Sequence, residues 1–432
     1  MNCALVKDVT TINLKIVAQS NSNGGKTMKI VSVDIMKVPS EDPSFSGNGQ
    51  GSKEDWCPLV VRINTDTDIC GFGEAGLAYG KGWRGGFGML QDFSQVIIGE
   101  DPLNIEKIWD KLFNTTYWGI AGGVVVNAAI SAIDIALWDI KGKYYNTPTY
   151  EILGGKTNDH LRAYASQLQY NWGEHIDKLK LITPEDYAEV TKKVMSEGYD
   201  ALKFDPIMLS DQPDGGGEWN TKGTVSQHII KVAYDRVKAM REVGGDDLDI
   251  IIDMHANSDT TSAIKIGQAL EDLNILYYEE PVNTLNPDNT LEVSQRVNIP
   301  IAAGERVFTR WGFRKFFEDR SIKVAQPDLC LAGGISEAKK ICDMAYTYDI
   351  NAQVHVCGGP IAIAAALQVE AVIPNFLIHE VYQRAINAKD RATCKYDDYQ
   401  PVDGFIDIPD RPGIGQELKP EVIAKCKKVT IK

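Results

Sequence analysis

Three short apolar runs in the middle of the sequence each end in a carboxylate. The runs are LDIIIDMHAN, NILYYEEP and NIPIAAGERV, and their acidic residues are Asp253, Glu279 and Glu305, at equal intervals of 26 residues. This interval is about the length of one strand, one helix and two connections in a β/α repeat. The spacing therefore predicts three successive parallel strands that present their acidic side chains on one rim of a barrel.

The alternation of strands and helices continues on both sides of these runs. Eight such strands over about 250 residues is the size of a (β/α)8 barrel, so we predict an α/β fold of the modified TIM-barrel type. The predicted strands are residues 162–166, 201–204, 248–252, 275–278, 301–303, 322–326, 351–354 and 375–378.

The sequence pattern divides the chain into four segments. Residues 1–27 end in a Ser/Asn/Gly-rich run and are expected to be a poorly ordered appendage. Residues 28–150 combine helices with a predicted antiparallel meander, whose turns are expected at 66–68 and at Gly71–Gly73, and form an α+β capping domain. Residues 151–410 form the barrel, and residues 411–432 are expected to pack back on the capping domain.

Composition limits the partners that this chain can have. The net charge of −14 argues against binding of nucleic acid or of an anionic membrane surface, and no apolar run reaches the length of a membrane span. The eight cysteines include no C-x-x-C pair, which indicates buried thiols in a reducing compartment. We therefore expect a cytoplasmic protein that acts on a small molecule.

The three carboxylates allow two interpretations. Each could cap the helix that follows its strand, which is a common function of acidic residues. Three like charges that converge on one rim, however, repel one another unless a cation lies between them. Because oxygen ligands select a hard ion, we predict that Asp253, Glu279 and Glu305 bind Mg²⁺.

Polar residues also follow the later strands. Asp328 follows the sixth strand, His355 the seventh and Glu380 the eighth. A carboxylate beside an imidazole orients the ring and raises its basicity, so Asp328 and His355 are predicted to pair. His255 lies two residues beyond Asp253, which places it on the same inward face by strand alternation. The other histidines are predicted to be surface or structural residues: His160, His175, His228 and His379.

These motifs together resemble those of the mandelate racemase branch of the enolase superfamily. Within that branch the chain is most similar to D-galactonate dehydratases and related acid-sugar dehydratases, over about residues 28–410. The resemblance implies that His355, paired with Asp328, is the general base, that His255 is the general acid and that Glu380 stabilises the intermediate. It also implies a homo-oligomer. The motifs are DMHAN, YYEEP, AAGERVFTRWGF, QPDLCLAGGISEAKKICDMA, VHVCGGPIAIAAA and IHE.

The implied reaction is the dehydration of an acid sugar. The proton alpha to a carboxylate is weakly acidic, so its removal by His355 needs charge stabilisation, which Mg²⁺ supplies as a Lewis acid. The C3 hydroxyl then leaves as water with a proton from His255, and the enol product becomes a 2-keto-3-deoxy acid.

One departure from the racemase pattern bears on the reaction. Racemases of this branch carry K-x-K after the second strand, whereas this chain has Lys203 and Asp205 in a K-x-D pattern. One base and one acid fit elimination better than inversion, although a racemase, epimerase or cycloisomerase of the same superfamily remains an alternative. A second alternative is a barrel that binds metal or a partner without turnover, against which stands the complete set of rim groups.

Substrate choice is predicted to depend on loops above the rim. The loops are residues 40–56 and 76–88 of the capping domain and an insertion at 207–223. Their large side chains could stack on a sugar or donate to its hydroxyls, or could simply pin the loops to the barrel. These side chains are Trp56, Trp83, Arg84 and Trp219. We assign Trp83 and Arg84, together with Lys203 and Asp205, to substrate binding.

Overall fold

The structure is a computed structural model, and it describes five stretches of the chain. These are residues 28–39, 56–79, 82–173, 181–208 and 224–432. Several predictions concern residues outside these stretches, namely the appendage 1–27, His175, Trp219, loop residues 40–55 and most of the insertion 207–223.

A four-stranded antiparallel sheet forms the centre of the capping domain. Strands β1 (Ile30–Lys37), β2 (Leu59–Thr65) and β3 (Cys70–Ala75) follow one another as a meander, which confirms the prediction. Strand β13 (Lys427–Ile431), from the far end of the chain, pairs antiparallel with β1. The chain therefore leaves this sheet to form the barrel and then returns to it.

The predicted turn at Gly71–Gly73 is wrong, because both glycines lie inside β3. The helix Val124–Tyr145 packs so closely on this strand that a Cβ on Gly71 would lie 2.1 Å from the backbone oxygen of Ala136. A Cβ on Gly73 would lie 2.0 Å from the backbone oxygen of Ala132. The glycines therefore permit close packing of a helix on a strand, a second role of glycine in sheets.

Eight parallel strands form the curled sheet of the barrel, in the order β10-β9-β8-β7-β6-β5-β4-β11. A bridge between Ala352 and Phe376 joins β10 to the segment that leads into β11. The fold is thus the predicted (β/α)8-type barrel with an α+β capping domain. The strands are β4 (His160–Ala165), β5 (Ala201–Phe204), β6 (Asp249–Asp253), β7 (Ile275–Glu279), β8 (Ile301–Ala303), β9 (Val324–Ala325), β10 (Asn351–Ala352) and β11 (His379–Val381), and β12 (Phe405–Asp407) pairs antiparallel with β4.

Helices cover both the capping sheet and the barrel. The helix Pro184–Ser196 begins with Pro at its first position and with Thr183 as N-cap, in a capping box with Asp186. Capping-domain helices are Trp83–Ile97, Ile105–Asn114 and Val124–Tyr145. Later helices are Thr149–Leu153, Pro184–Ser196, Gln227–Gly244, Thr260–Leu270, Pro287–Ser294, Thr309–Glu318, Gly334–Tyr346, Pro360–Glu370, Gln383–Ile386, Ala388–Arg391 and Pro420–Lys425. No helix in the described stretches has the length and apolar character needed to cross a bilayer.

The interior of the barrel is built in layers. A small apolar cluster, separate from the core beneath the helices, includes Ala201, Ile251, Tyr277 and Ile378. Because strand side chains alternate, the residues two positions further along point to the same interior, one layer nearer the carboxyl-terminal rim. Those residues are Lys203, Asp253, Glu279 and Glu380. The fold therefore places a charged layer directly above an apolar one.

One buried carboxylate joins three strands of the capping sheet. Asp34 in β1 accepts hydrogen bonds from Arg62 at 2.6 Å and Asn64 at 3.2 Å, both in β2, and from the Thr430 hydroxyl in β13 at 2.6 Å. Burial would raise the pKa of Asp34, but these hydrogen bonds lower it below its ordinary value of 3.8. Its stabilising contribution is therefore complete above pH 3.8 and is lost as the pH falls through the lower pKa of the folded state.

We predict that Asp34→Ala lowers the free energy of unfolding by roughly 2 kcal/mol at pH 7, because three donors lose their shared acceptor. Urea unfolding measures the change. The matched control is Asp68→Ala, which removes an exposed carboxylate from the β2–β3 turn and should have no effect. The deficit should shrink below pH 3.8, and equal stability of the two variants at pH 7 would contradict this role.

Candidate active site

Four charged side chains from β5, β6, β7 and β11 meet at the carboxyl-terminal end of the barrel. The Lys203 ammonium lies 2.9 Å from Glu279, 3.0 Å from Glu380 and 3.2 Å from Asp253, and all four side chains are at most 2% exposed. Burial would lower the pKa of Lys203, but the surrounding carboxylates hold it well above its ordinary value. Lys203 is therefore a buried cation shared by three acids.

Glu305 follows β8 and lies on the same rim. Its carboxylate is 3.0 Å from Nε2 of His355 and contacts Arg306, which also contacts Glu280. Burial would raise the pKa of Glu305, but Arg306 and His355 hold it well below its usual range. Burial and the neighbouring Glu305 raise the pKa of Glu280 to about 8. One carboxylate oxygen of Glu280 has no hydrogen-bond partner among the described residues.

Asp328 and His355 form the predicted pair. Nδ1 of His355 lies 2.8 Å from the Asp328 carboxylate, and the two residues form a parallel bridge between neighbouring strands. Burial would lower the pKa of His355, but Glu305 and Asp328 hold it well above the ordinary value. This arrangement leaves Nε2 directed at the carboxylate cluster.

Glu380 supports this pair from the neighbouring strand. It accepts hydrogen bonds from the Ser166 hydroxyl at 2.7 Å and from the backbone N–H of Val356 at 3.0 Å. Burial would raise the pKa of Glu380, but Lys203 and His355 lower it to about 2. Glu380 is therefore ionised and is bonded to the residue that follows His355.

His255 reaches the site through a left-handed turn after β6. Its φ is +48°, and its backbone N–H donates to Asp253 at 2.9 Å. The two ring nitrogens lie 3.2 Å from Asp205 and 3.3 Å from Asp253. Burial would lower the pKa of His255, but these carboxylates raise it to about 9. The turn, rather than the predicted strand alternation, brings the His255 ring between Asp205 and Asp253.

None of the three predicted metal ligands caps a helix, so that competing interpretation is wrong. The helices after β6, β7 and β8 have other residues at their N-caps, namely Asp259, Asn286 and Phe308. The acidic residues instead turn into the barrel mouth.

The rim holds more acids than bases. Among the described residues, no three His, Cys, Asp or Glu side chains surround one point as metal ligands do. Lys203 and Arg306 lie against the carboxylates instead. Burial and the repulsion by Asp253 raise the pKa of Glu279 to about 8, which reflects the crowding of like charges. A buried excess of oxygen donors is what a hard divalent cation selects, and Asp253, Glu279 and Glu305 as its ligands stay a prediction. The buried acids at this rim are Asp205, Asp253, Glu279, Glu280, Glu305, Asp328 and Glu380.

The residues predicted to bind substrate have contacts of other kinds. Lys203 and Asp205 pair with site residues, as described above. Trp83 is buried in the capping-domain core, and the Arg84 guanidinium lies 4.6 Å from the centre of its ring. A role for these four residues in substrate binding stays a prediction.

The structure also adds residues that the sequence did not single out. Glu280 and Arg306 directly follow two predicted ligands, and their charge next to a ligand was the available signal. Cys357 lies two residues after His355, and its sulfur is 3.5 Å from the side-chain nitrogen of Gln167. Burial raises the pKa of the Cys357 thiol. The thiol also forms a hydrogen bond with the His355 side chain, so it lies next to the pair.

Comparison with known families and proteins gives consistent matches. The enolase C-terminal domain-like family model matches residues 186–422, and the N-terminal domain model of mandelate racemase/muconate lactonizing enzyme matches residues 48–154. A D-galactonate dehydratase of Variovorax paradoxus is 31% identical, covering 84% of this chain and 90% of that protein. A D-xylonate dehydratase of Haloferax volcanii is 32% identical, covering 83% of each chain.

Solved structures show the same likeness. An enolase superfamily member from Salmonella Typhimurium is 49% identical with a TM-score of 0.88, covering 94% of this chain and 100% of that one. A mandelate racemase/muconate lactonizing enzyme from Sulfitobacter is 28% identical with a TM-score of 0.81, covering 92% and 95%. Both likenesses extend over the capping domain and the barrel.

We predict that Lys203→Met destabilises the protein without added metal by about 3–5 kcal/mol, because three buried carboxylates lose their shared cation. Added MgCl₂ should restore part of this loss, so that the rise in Tm is larger in the variant than in the unmodified protein. Thermal unfolding with and without MgCl₂ measures the difference.

The matched control is Lys143→Met. Lys143 pairs with Asp139 and Glu417, away from the barrel mouth. This variant should lose stability without recovering it in MgCl₂. Equal MgCl₂-induced shifts in Tm for all three proteins would argue against a cation site among the rim carboxylates.

Proposed function

The chain belongs to the mandelate racemase and muconate lactonizing enzyme family of the enolase superfamily, and from this membership we propose that it is a dehydratase of an acid sugar. Relatives at 31–32% identity that carry the names D-galactonate and D-xylonate dehydratase support the substrate class. The observation that carries the proposal is one paired histidine and one separately held histidine at a single carboxylate cluster. Elimination of water needs one base and one acid.

In the proposed reaction His355 removes the proton from C2, alpha to the substrate carboxylate. Asp328 accepts the hydrogen bond from Nδ1 of His355, which orients Nε2 and stabilises the imidazolium that forms. Asp253, Glu279 and Glu305 would hold Mg²⁺, whose charge, when it is bound, stabilises the negative charge on the substrate carboxylate.

His255 completes the elimination by giving a proton to the C3 hydroxyl. The C3–O bond breaks, water leaves and the electrons of the former C2–H bond form the C2–C3 double bond. The resulting enol then takes a proton at C3, loses the proton of its C2 hydroxyl and becomes a 2-keto-3-deoxy acid. Asp205 and Asp253 keep the His255 ring oriented for the proton transfer.

A racemase or epimerase would need a second base on the face opposite His355. Lys203 is the candidate, but its ammonium lies within 3.2 Å of three carboxylates that keep it protonated. Asp205, two residues on, is engaged with His255. Elimination is therefore the reaction that these contacts favour.

We predict that the protein converts at least one aldonate or aldarate to a 2-keto-3-deoxy acid in the presence of MgCl₂. A panel of acid sugars would be incubated with the enzyme and the product measured as its semicarbazone absorbance. The His355→Asn variant, which keeps the shape of the side chain but cannot act as the base, should form no product. Epimerised acid without any keto acid would identify a racemase instead.

We also predict that substitutions of the two histidines differ in their effect on the exchange of the C2 proton. With a substrate in D₂O, His355→Asn should lose both deuterium incorporation and dehydration, because no base remains. His255→Asn should lose dehydration but still incorporate deuterium, because its base is intact. Proton NMR of the recovered acid sugar measures the incorporation, and identical behaviour of the two variants would refute this division of roles.

A further inference from the structure

We propose that the capping domain positions the Asp328–His355 pair through two buried carboxylates, Glu74 and Asp134, which act as positioning residues. Glu74 lies in β3, and Asp134 lies in the helix Val124–Tyr145. Each carboxylate crosses the domain boundary and caps the barrel helix that follows one member of the pair. The inference rests on the proposed function only in taking His355 as the base.

Glu74 caps the helix Pro360–Glu370, which follows His355. The Glu74 carboxylate is fully buried and accepts hydrogen bonds from the backbone N–H groups of Gly359 at 2.6 Å and Ala362 at 3.2 Å. The N-cap residue of this helix, Gly359, has no side chain that could accept these bonds. The first N–H groups of a helix have no intrahelical partner, and here a side chain of another domain accepts from two of these N-terminal groups.

The short segment between His355 and this helix is held from both sides. Glu380 accepts from the backbone N–H of Val356, and the Tyr382 hydroxyl donates to the backbone oxygen of Gly358. Glu74 holds the other end at Gly359. A shift of the helix N-terminus would therefore move the backbone that carries the His355 ring.

The glycine pair in VCGGPI is explained by this contact. A Cβ on Gly358 would lie 2.9 Å from a carboxylate oxygen of Glu74 and 2.5 Å from Cβ of Ala362. A Cβ on Gly359 would lie 3.0 Å from the other oxygen of Glu74. The loop can approach the capping-domain carboxylate this closely only without side chains.

Asp134 performs the same role for Asp328. Its carboxylate accepts from the backbone N–H of Ser336 at 3.0 Å and from the Ser336 hydroxyl at 2.6 Å, at the start of the helix Gly334–Tyr346. This helix too has a glycine as N-cap, Gly333.

Other capping-domain groups hold the same segment. The Ser131 hydroxyl accepts from the backbone N–H of Gly333 at 2.9 Å, and the Trp109 indole donates to the backbone oxygen of Gly333 at 2.8 Å. The backbone N–H of Gly76 donates to the oxygen of Cys330, two residues after Asp328, at 2.9 Å. The capping domain therefore holds the segments that follow both members of the pair.

The test uses Glu74→Gln and Asp134→Asn, which keep the side-chain shape but replace one acceptor oxygen by an NH₂ group. In Glu74→Gln this NH₂ group faces a backbone N–H donor, and in Asp134→Asn it faces a donor of Ser336, either its N–H or its hydroxyl. The matched control is Asp139→Asn. Asp139 lies in the same helix as Asp134, is equally buried and accepts from the backbone N–H groups of Phe72 and Ile414, away from the pair. All variants would first be compared by circular dichroism.

The first readout does not depend on activity. In protein labelled with ¹⁵N-histidine, the His355 N–H proton bonded to Asp328 is identified by its loss in Asp328→Asn. The His379 proton, bonded to Glu370 at 2.6 Å at the opposite end of the helix Pro360–Glu370, serves as an internal reference. Glu74→Gln and Asp134→Asn should shift the His355 signal and leave the His379 signal in place, and Asp139→Asn should shift neither.

The second readout is the division between kcat and KM on an accepted acid sugar. Misplacement of the base should lower kcat roughly tenfold to a hundredfold with little change in KM, and Asp139→Asn should leave both unchanged. Glu74→Asp, which keeps the charge but shortens its reach, should give an intermediate kcat. If no acid sugar is turned over, the proposed function fails while the NMR readout still decides positioning. An unchanged His355 signal in both Glu74→Gln and Asp134→Asn overturns the inference.

Discussion

The burial of several carboxylates at one end of the barrel is the constraint on which the rest of the site depends. An ionised acid removed from water without a counter-charge is strongly unfavourable, so each buried carboxylate needs a cation or several donors. The Lys203 ammonium is the counter-charge for three of these carboxylates, and Arg306 and His355 compensate the charge of Glu305. This pairing of charges also positions the two histidines, because His355 contacts Glu305 and Asp328 whereas His255 contacts Asp205 and Asp253.

The sequence predicts those parts of the structure that follow from the alternation of strand side chains and from the spacing of the acidic residues. Apolar runs 26 residues apart place Asp253, Glu279 and Glu305 at the carboxyl ends of successive strands, and residues two apart on one strand share the interior. The pairing of Asp328 with His355 followed from their positions after neighbouring strands. These predictions succeed because strand direction and side-chain alternation are local properties.

Features that depend on contacts between distant segments could not be predicted in this way. Gly71 and Gly73 resemble a turn in sequence, and only the packing of the helix Val124–Tyr145 shows why a strand needs them. His255 reaches Asp253 through a positive φ that no alternation rule contains. The three partners of Lys203 come from three other strands, so their meeting depends on the closure of the whole sheet. Trp83 was expected above the rim, and its burial depends on how the capping sheet and helices meet.

Position 205 connects the architecture to the choice of reaction. It lies just beyond the end of β5, where the resemblance places a second base in racemases, and here it holds a carboxylate. That carboxylate lies 3.2 Å from His255, whose other ring nitrogen faces Asp253, so two acids surround one imidazole. This carboxylate replaces the lysine of the racemase pattern, and its contact with His255 favours the protonated form of that ring. Under the proposed reaction, the same substitution that removes the second base therefore supports the proton donor that elimination requires.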